Sequence, residues 1–234
     1  MNEASADTNN DPAPDRTWSP LNPAQRRVFG VLIEKAKTTP DAYPLTLNAT
    51  TTGCNQKSNR APQTDYETDD VQETLDSLRQ LGAVVEVQGD GRAAKFRHRA
   101  YDWLSVDKTE AAVLAELLLR GPQTLGELRS RAARMEAIVD LNALRPIVDA
   151  LLSKQLMVEL SPPGRGQVVT HGLYGEEEMA RLQKDAPQST TTPTRSQTTT
   201  NSTSERITSL EAELSTLRDR VEILETRIES WESE

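Results

Sequence analysis

A single cysteine, Cys54, stands among 234 residues, which excludes an intramolecular disulfide framework. Aromatic residues make up only 4% of the chain, so any core has to be filled by Leu, Val, Ile and Ala, which suits short helices better than large β-sandwiches. Only two histidines occur, His98 and His171. Neither lies near Cys54 in sequence, so a His-supported thiol nucleophile and a His-rich metal cluster are both missing from the pattern. The longest apolar run, Ala111 to Leu119, is interrupted by Glu116 and is too short to cross a bilayer. The segment up to Pro20 is polar and acidic, with no apolar stretch that could serve as a signal sequence, so a cytoplasmic protein with no membrane contact is expected. A phosphate-cradling glycine loop, metal-ligand spacing and paired catalytic carboxylates are absent too, and the chain reads as non-enzymatic, without catalytic residues, cofactor or metal.

The net charge of −9 is unevenly placed. Residues 21–175 carry equal numbers of acidic and basic side chains, and the acidic excess lies in the N-terminal arm and the C-terminal tail. A neutral body has no bulk attraction for a polyanion, so nucleic-acid contact would need a local basic patch.

What the chain does have is a repeat. Residues 75–98 lie over residues 148–171 without a gap, each an apolar helical stripe, a strand, a Gly-Arg hairpin tip and a second strand. Leu78/Leu151, Val85/Val158, Gly91/Gly164, Arg92/Arg165 and His98/His171 keep one register. Helices are expected near Pro23–Lys37, Leu47–Gly53 and Thr68–Leu81, then near Lys108–Arg120, Thr124–Ala133 and Asn142–Lys154. Three helices and a two-stranded β-wing, written twice, give an α+β, mostly helical fold of two tandem winged-helix domains with two small cores. Pro146 is expected in the first turn or so of the last of these helices, where its missing donor does little harm.

The organisation follows from composition. Residues 1–20 read as a disordered acidic arm, 21–103 and 104–175 as the two domains, and 176–204 as an acidic, then Thr/Ser-rich flexible linker. Residues 205–234 carry a coiled-coil seam, with Ile207, Leu214, Val221 and Ile228 at a, Leu210, Leu217 and Leu224 at d, and Trp231 closing the series. Mostly β-branched a positions over Leu at d, with Glu213 facing Arg218 and Arg220 facing Glu225 across chains, favour a parallel homodimer that dissociates on dilution. A single amphipathic helix folded back on the domains is the alternative.

The stretch Thr39-Pro40-Asp41-Ala42-Tyr43-Pro44-Leu45, the run Cys54-Asn55-Gln56-Lys57-Ser58-Asn59-Arg60, and Lys95-Phe96-Arg97-His98-Arg99 closely resemble the YceH family of bacterial proteins. The resemblance covers about residues 21–175. It implies a pair of winged helices and carries over no activity or site residue.

The Asn55–Arg60 segment can donate many hydrogen bonds, either to a ligand or to its own loop, and both readings stay open. Cys54 reads as a small buried residue, and His98 and His171 as repeated structural hydrogen-bonders. For nucleic acid, the candidates are Lys57, Arg60, Arg92, Lys95, Arg97 and Arg99, the last three alternating along one strand face. A solvated strand face is the competing reading. Against DNA stands the third helix of the first repeat, with Asp69, Asp70, Glu73 and Asp76; in the second repeat Arg129, Arg131 and Arg134 make the second helix more basic. Two functions follow: a dimeric winged-helix regulator that binds double-stranded DNA, which is favoured, or a protein-protein adaptor that does not.

Overall fold

Asn22 opens the first helix, α1 (Pro23–Thr38), with a reciprocal cap: its side chain accepts from the Gln25 N–H at 2.9 Å, and Asn22 N–H donates back to Gln25 Oε1 at 2.8 Å. Pro23 sits at the helix start, where no amide donor is needed. The computed structural model describes residues 18–88 and 93–185. The arm before Trp18, the first hairpin tip with Arg92, and all of 186–234, including most of the expected linker and the coiled-coil seam, lie outside the described residues.

After a short 3-10 turn (Pro40–Ala42), the first repeat continues through β1 (Leu45–Thr46), α2 (Leu47–Cys54), α3 (Thr68–Gln80), β2 (Val84–Gln88) and β3 (Ala94–His98). One further turn of helix, α4 (Ala100–Trp103), leads to the second repeat: α5 (Lys108–Arg120), β4 (Gln123–Thr124), α6 (Leu125–Ala132), α7 (Leu141–Ser153), β5 (Met157–Glu159) and β6 (Val168–His171). A last helix, α8 (Glu176–Asp185), follows. Among the described residues no helix is long and apolar enough to cross a membrane.

Each repeat holds a three-stranded antiparallel sheet of one topology, β1-β3-β2 and β4-β6-β5. The third strand in each is new relative to the two-stranded wings expected from sequence. Leu45 pairs with Phe96 in the first sheet and Gln123 with Val169 in the second. Two residues are too few to show a period, so the strands are invisible until the wing supplies a partner. Each ends on a threonine that caps the next helix: Thr46 Oγ1 accepts from Ala49 N–H, and Thr124 Oγ1 from Glu127 N–H, both at 3.3 Å.

The exits of α3 and α7 match as well. Ala83 N–H reaches back to Leu78 C=O at 3.0 Å and Leu156 N–H to Leu151 C=O at 2.9 Å, closing both helices with the same six-residue turn. That turn needs a left-handed residue, supplied by Gly82 in one repeat and by Gln155 in the other.

The expectation of two small cores does not hold, because the buried apolar residues form one continuous cluster. Its centre is the pairing of α1 with α5, the most extensive contact between any two elements described. Residues 25–34 of α1 and 110–119 of α5 are buried without interruption, so these helices are enclosed on all sides. Gly30 sets their approach: a Cβ there would lie 3.1 Å from both Leu118 and Leu119. The repeats are tied further by backbone bonds from Leu21 N–H to Leu173 C=O and from Ala61 N–H to Leu119 C=O, each 2.9 Å.

Three local expectations change. Trp18, assigned to the disordered arm, is buried in the core cluster. Residues 176–185, assigned to the linker, form α8, which Arg26 holds through Glu178 at 2.6 Å. Pro146 lies inside α7 beyond its first turn, so the carbonyl of exposed Asn142 lacks the i+4 helical donor.

Gly172→Ala would drive a Cβ to 2.0 Å from the Gln155 carbonyl oxygen, and is expected to destabilise by about 1–3 kcal/mol. Gly126→Ala in α6, where a Cβ meets nothing within 4 Å, should instead stabilise by about 0.4–1 kcal/mol. Urea unfolding midpoints of the two variants should move in opposite directions.

Candidate nucleic-acid interface and the buried charge ring

The outer face of the first sheet is where cations gather. β3 alternates as its sequence requires: Phe96 and His98 turn into the core, while Lys95 and Arg97 take the other face, opposite Val87 and Val85 of β2. Arg99 follows the strand, exposed and 3.5 Å from Asp102. Lys57 is exposed in the loop after α2, where Gln63 Nε2 donates to its carbonyl at 2.9 Å. Arg92 lies outside the described residues.

Arg60 does not belong to that surface. Its side chain is fully enclosed and donates from both terminal nitrogens to Glu34, which is also sealed in α1. Its Nε donates to Gly53 C=O at 2.9 Å and Nη1 to Asn59 C=O at 2.8 Å. Four of the five guanidinium N–H groups are engaged, and the side chain is closed to solvent, so a phosphate could not reach it without opening the loop.

From Glu34 a ring of charge continues across the repeat boundary. Arg134, after α6, bridges Glu34 and Glu116, reaching Glu116 at 3.1 Å. Glu116, fully buried in α5, faces Arg120 Nε at 2.8 Å, an ion pair whose angle is too bent for a hydrogen bond. Arg120 Nη2 donates to Asn59 Oδ1, and Asn59 neighbours Arg60, which closes the ring. Beside it Lys37 of α1 meets Glu136 of the second repeat at 2.9 Å. Burial alone would raise the Glu34 carboxyl, but the hydrogen bonds and charges of Arg60 and Arg134 hold it below the usual carboxylate range.

The Asn55–Arg60 segment therefore divides. Asn55 Nδ2 donates to Tyr66 C=O and its Oδ1 accepts from Tyr66 N–H, both at 2.8 Å, bracing the loop that leads to α3. Asn59, left-handed at φ 59°, and Arg60 serve the ring. Lys57 and Ser58 are left facing solvent.

The other cations singled out in sequence are also engaged. Arg131 donates to Gln123 at 2.7 Å and pairs with Glu127 at 3.2 Å, Arg129 donates to Val139 C=O at 3.3 Å, and Arg134 sits in the ring. On α3 the carboxylates serve the helix itself: Asp70 accepts from Glu67 N–H at 2.9 Å, and Asp76 from Arg79 at 2.8 Å. Asp69, Asp70 and Glu73 remain exposed.

Cys54 is buried, and burial pushes its thiol up to about 12 against the opposing charges of Arg27 and Arg60; a thiolate nucleophile there would be desolvated and without access. The two histidines do one job. His98 Nδ1 accepts from Ala100 N–H, and His171 Nδ1 from Leu173 N–H, both at 3.2 Å. Burial, helped by Lys37 and Arg97, brings His98 down to about 4; His171 is lowered well below its usual value, first by burial and then by Arg26. Among the described residues no group of His, Cys, Asp or Glu is placed to hold a metal ion.

These features define a class: a mixed α+β protein with two like modules, each of three helices and a small antiparallel sheet, locked together through buried charge. The chain belongs to the family described as Protein of unknown function, DUF480, whose model matches residues 21–165. It is similar to a UPF0502 protein of Rhodopirellula baltica, 52% identical over 182 residues that cover 78% of this chain and 75% of the relative. A UPF0502 protein of Geobacter sulfurreducens is 41% identical over 201 residues, covering 84% and 90%. One from Xanthomonas campestris pv. campestris is 38% identical over 213 residues, covering 90% and 95%.

Glu34→Ala strands the enclosed Arg60 without a carboxylate and leaves Arg134 only Glu116, and is expected to destabilise by about 3–5 kcal/mol, read from urea unfolding. Exposed Arg79→Ala should change stability by less than about 1 kcal/mol. Stability should also fall on acidification. With His98 lowered to about 4 from 6.5, the unfolded chain takes up the proton first, so its contribution of roughly 3 kcal/mol is complete above pH 6.5 and lost toward pH 4. His171 acts in the same direction. His98→Gln should flatten part of that slope in unfolding midpoints measured from pH 7.5 to 4.

Proposed function

We propose that this chain is a non-enzymatic protein-protein adaptor in which two winged-helix modules act as one rigid scaffold. In this reading α3 and α7 occupy the place of the helix that such modules present to a partner. The resemblance of residues 21–175 to the YceH family agrees with that architecture.

The observation that carries the reading is the surface at the start of α7. Val139 is 83% and Leu141 45% exposed. Beside them a groove of about 650 Å³ is lined by Leu125, Leu141 and Leu144, with Arg145 and Arg165 also on its wall. Apolar surface finds no complement on a sugar-phosphate backbone, whereas an apolar segment of another protein releases its water. The two arginines favour a segment with acidic flanks. On α3, exposed Asp69, Asp70 and Glu73 repel phosphates. A parallel pairing of two copies through Ile207, Leu210, Leu214, Leu217, Val221, Leu224, Ile228 and Trp231 would make the adaptor bivalent.

A second reading, a regulator that binds double-stranded DNA, is favoured by one feature. Lys95 and Arg97 share an open strand face and make no ion pair among the described residues.

Titrating labelled duplex DNA at two salt concentrations separates the two. The adaptor should show no binding even at low salt; about four phosphate contacts from Lys57, Lys95, Arg97 and Arg99 would instead give a log-log slope near −3.6, lost in a Lys95→Glu, Arg97→Glu variant. For the dimer, Leu214→Asp with Leu217→Asp should halve the mass at sedimentation equilibrium, and an unchanged mass would remove the zipper from the model.

A further inference from the structure

Where the repeats meet, charge does not balance. Four arginines, Arg27, Arg60, Arg120 and Arg134, converge there against two carboxylates, Glu34 and Glu116. Glu34 is taken up by Arg60 and Arg134, and Glu116 by Arg120 and Arg134. Arg27 is left over. It is 4% exposed, and its terminal nitrogens donate only to neutral acceptors: Cys54 C=O at 3.1 Å, Thr64 Oγ1 at 3.5 Å and Pro62 C=O at 2.6 Å. Its Nε is buried without a hydrogen-bond partner. Burial, and then the charge of Arg60, lowers its pKa, as expected for a cation placed without a counterion.

A buried cation without a counter-charge is costly, and the other buried arginines among the described residues, Arg26 and Arg60, are paired. Arg26, its neighbour on α1, has Glu178. The exception borders a cavity. About 300 Å³ of space lies between α1, the loop at Pro62, the end of α5 and α8, and both Arg27 and Arg120 line it. Arg26, stacked 4.4 Å over the Tyr174 ring, forms part of its wall, and Glu178 reaches in from α8.

We infer that this cavity is an anion-binding site for a small dianion of the phosphate or phosphomonoester class, held by Arg27 and Arg120, with the Glu178 carboxylate competing at its edge. The charge argument gives the valence: four cations and two carboxylates leave an excess of two positive charges, and the two arginines with the fewest anionic contacts, Arg27 and Arg120, both face the space. The size argument limits the ligand, since the volume takes a phosphate with a small organic substituent and no nucleic-acid strand. Guanidinium forks match phosphate oxygens, and the low dielectric of a site between helices strengthens the pairing. The site draws on both repeats, so its occupant would brace their junction. This inference stands apart from the adaptor reading, because it concerns the junction and not the α7 groove.

The test is calorimetric titration of the full chain with sodium phosphate, with chloride adjusted to hold ionic strength constant. One saturable site per chain is expected, with an unfolding temperature that rises as the site fills. Arg27→Gln, which relieves the unpaired burial and should still fold, is expected to weaken phosphate at least about tenfold. Glu178→Gln, at a side chain 43% exposed, should tighten it by removing the competing carboxylate. Binding heats no different from chloride, an Arg27→Gln variant that binds as the parent does, or acetate binding as tightly as phosphate would each overturn the assignment. Should Arg27→Gln not fold, the Glu178→Gln titration decides alone, and unchanged affinity there counts against the site.

Discussion

The two repeats share one interior, and inside it two carboxylates, Glu34 and Glu116, sit on the central helices and are matched there by arginines. Apolar burial is non-directional and by itself does not single out one orientation among those open to α1 and α5. Glu34 allows few of these, because a carboxylate sealed from water is tolerated only where Arg60 and Arg134 both close on it. Glu116 imposes the same demand from the other side. The net stabilisation from such a ring is small, since desolvation offsets most of the attraction. Its effect is on specificity: every misaligned packing leaves at least one buried charge alone.

That constraint reaches the surface. Arg60, Arg120 and Arg134 are held at the junction, which removes them from any outward basic patch. Of the cations considered for nucleic acid, those that remain on the outside, Lys57, Lys95, Arg97 and Arg99, sit on the first module, whose α3 is acidic. The second module presents apolar surface flanked by Arg145 and Arg165 at α7, and its basic helix α6 is turned to its own neighbours. Residues 21–175, with equal numbers of acidic and basic side chains, have weak long-range fields, which suits contact with another protein better than capture of a polyanion. The same arrangement leaves Arg27 uncompensated at a cavity lined from both halves.

The modules repeat their physics more faithfully than their residues. Both sheets carry a two-residue edge strand ending in a threonine cap, both final helices close with the same turn, and both wings end on a histidine that accepts a backbone N–H two residues on. Where they differ, the first module has more chain between its first and third helices. It uses that length for the Asn55–Arg60 loop, which crosses to α5 and ties the halves together.

The sequence by itself determined the six longer helices of the repeats and the pair of strands that ends each repeat. Apolar spacing around Val28 and Leu32, around Leu75 and Leu78, and around Leu117 and Leu118 reports one face of a helix, and the structure shows side-chain caps at Asn22, Asp107 and Asp140 where three of the helices begin. The sequence also carried a signal that was passed over: a lone acid inside an apolar run, Glu34 in one helix and Glu116 in another, is the mark of a buried charge awaiting a partner. Which guanidinium answers it is a different matter. Arg60, Arg92, Lys95 and Arg97 look alike in sequence, all long cations in loops or strands, and only the tertiary structure turned Arg60 inward. Local pattern follows from backbone geometry within a few residues, whereas the pairing of Glu34 with Arg60 and Arg134 joins points far apart along the chain. Long flexible side chains can reach several neighbours, so the choice among them is made by the packing of α1 against α5.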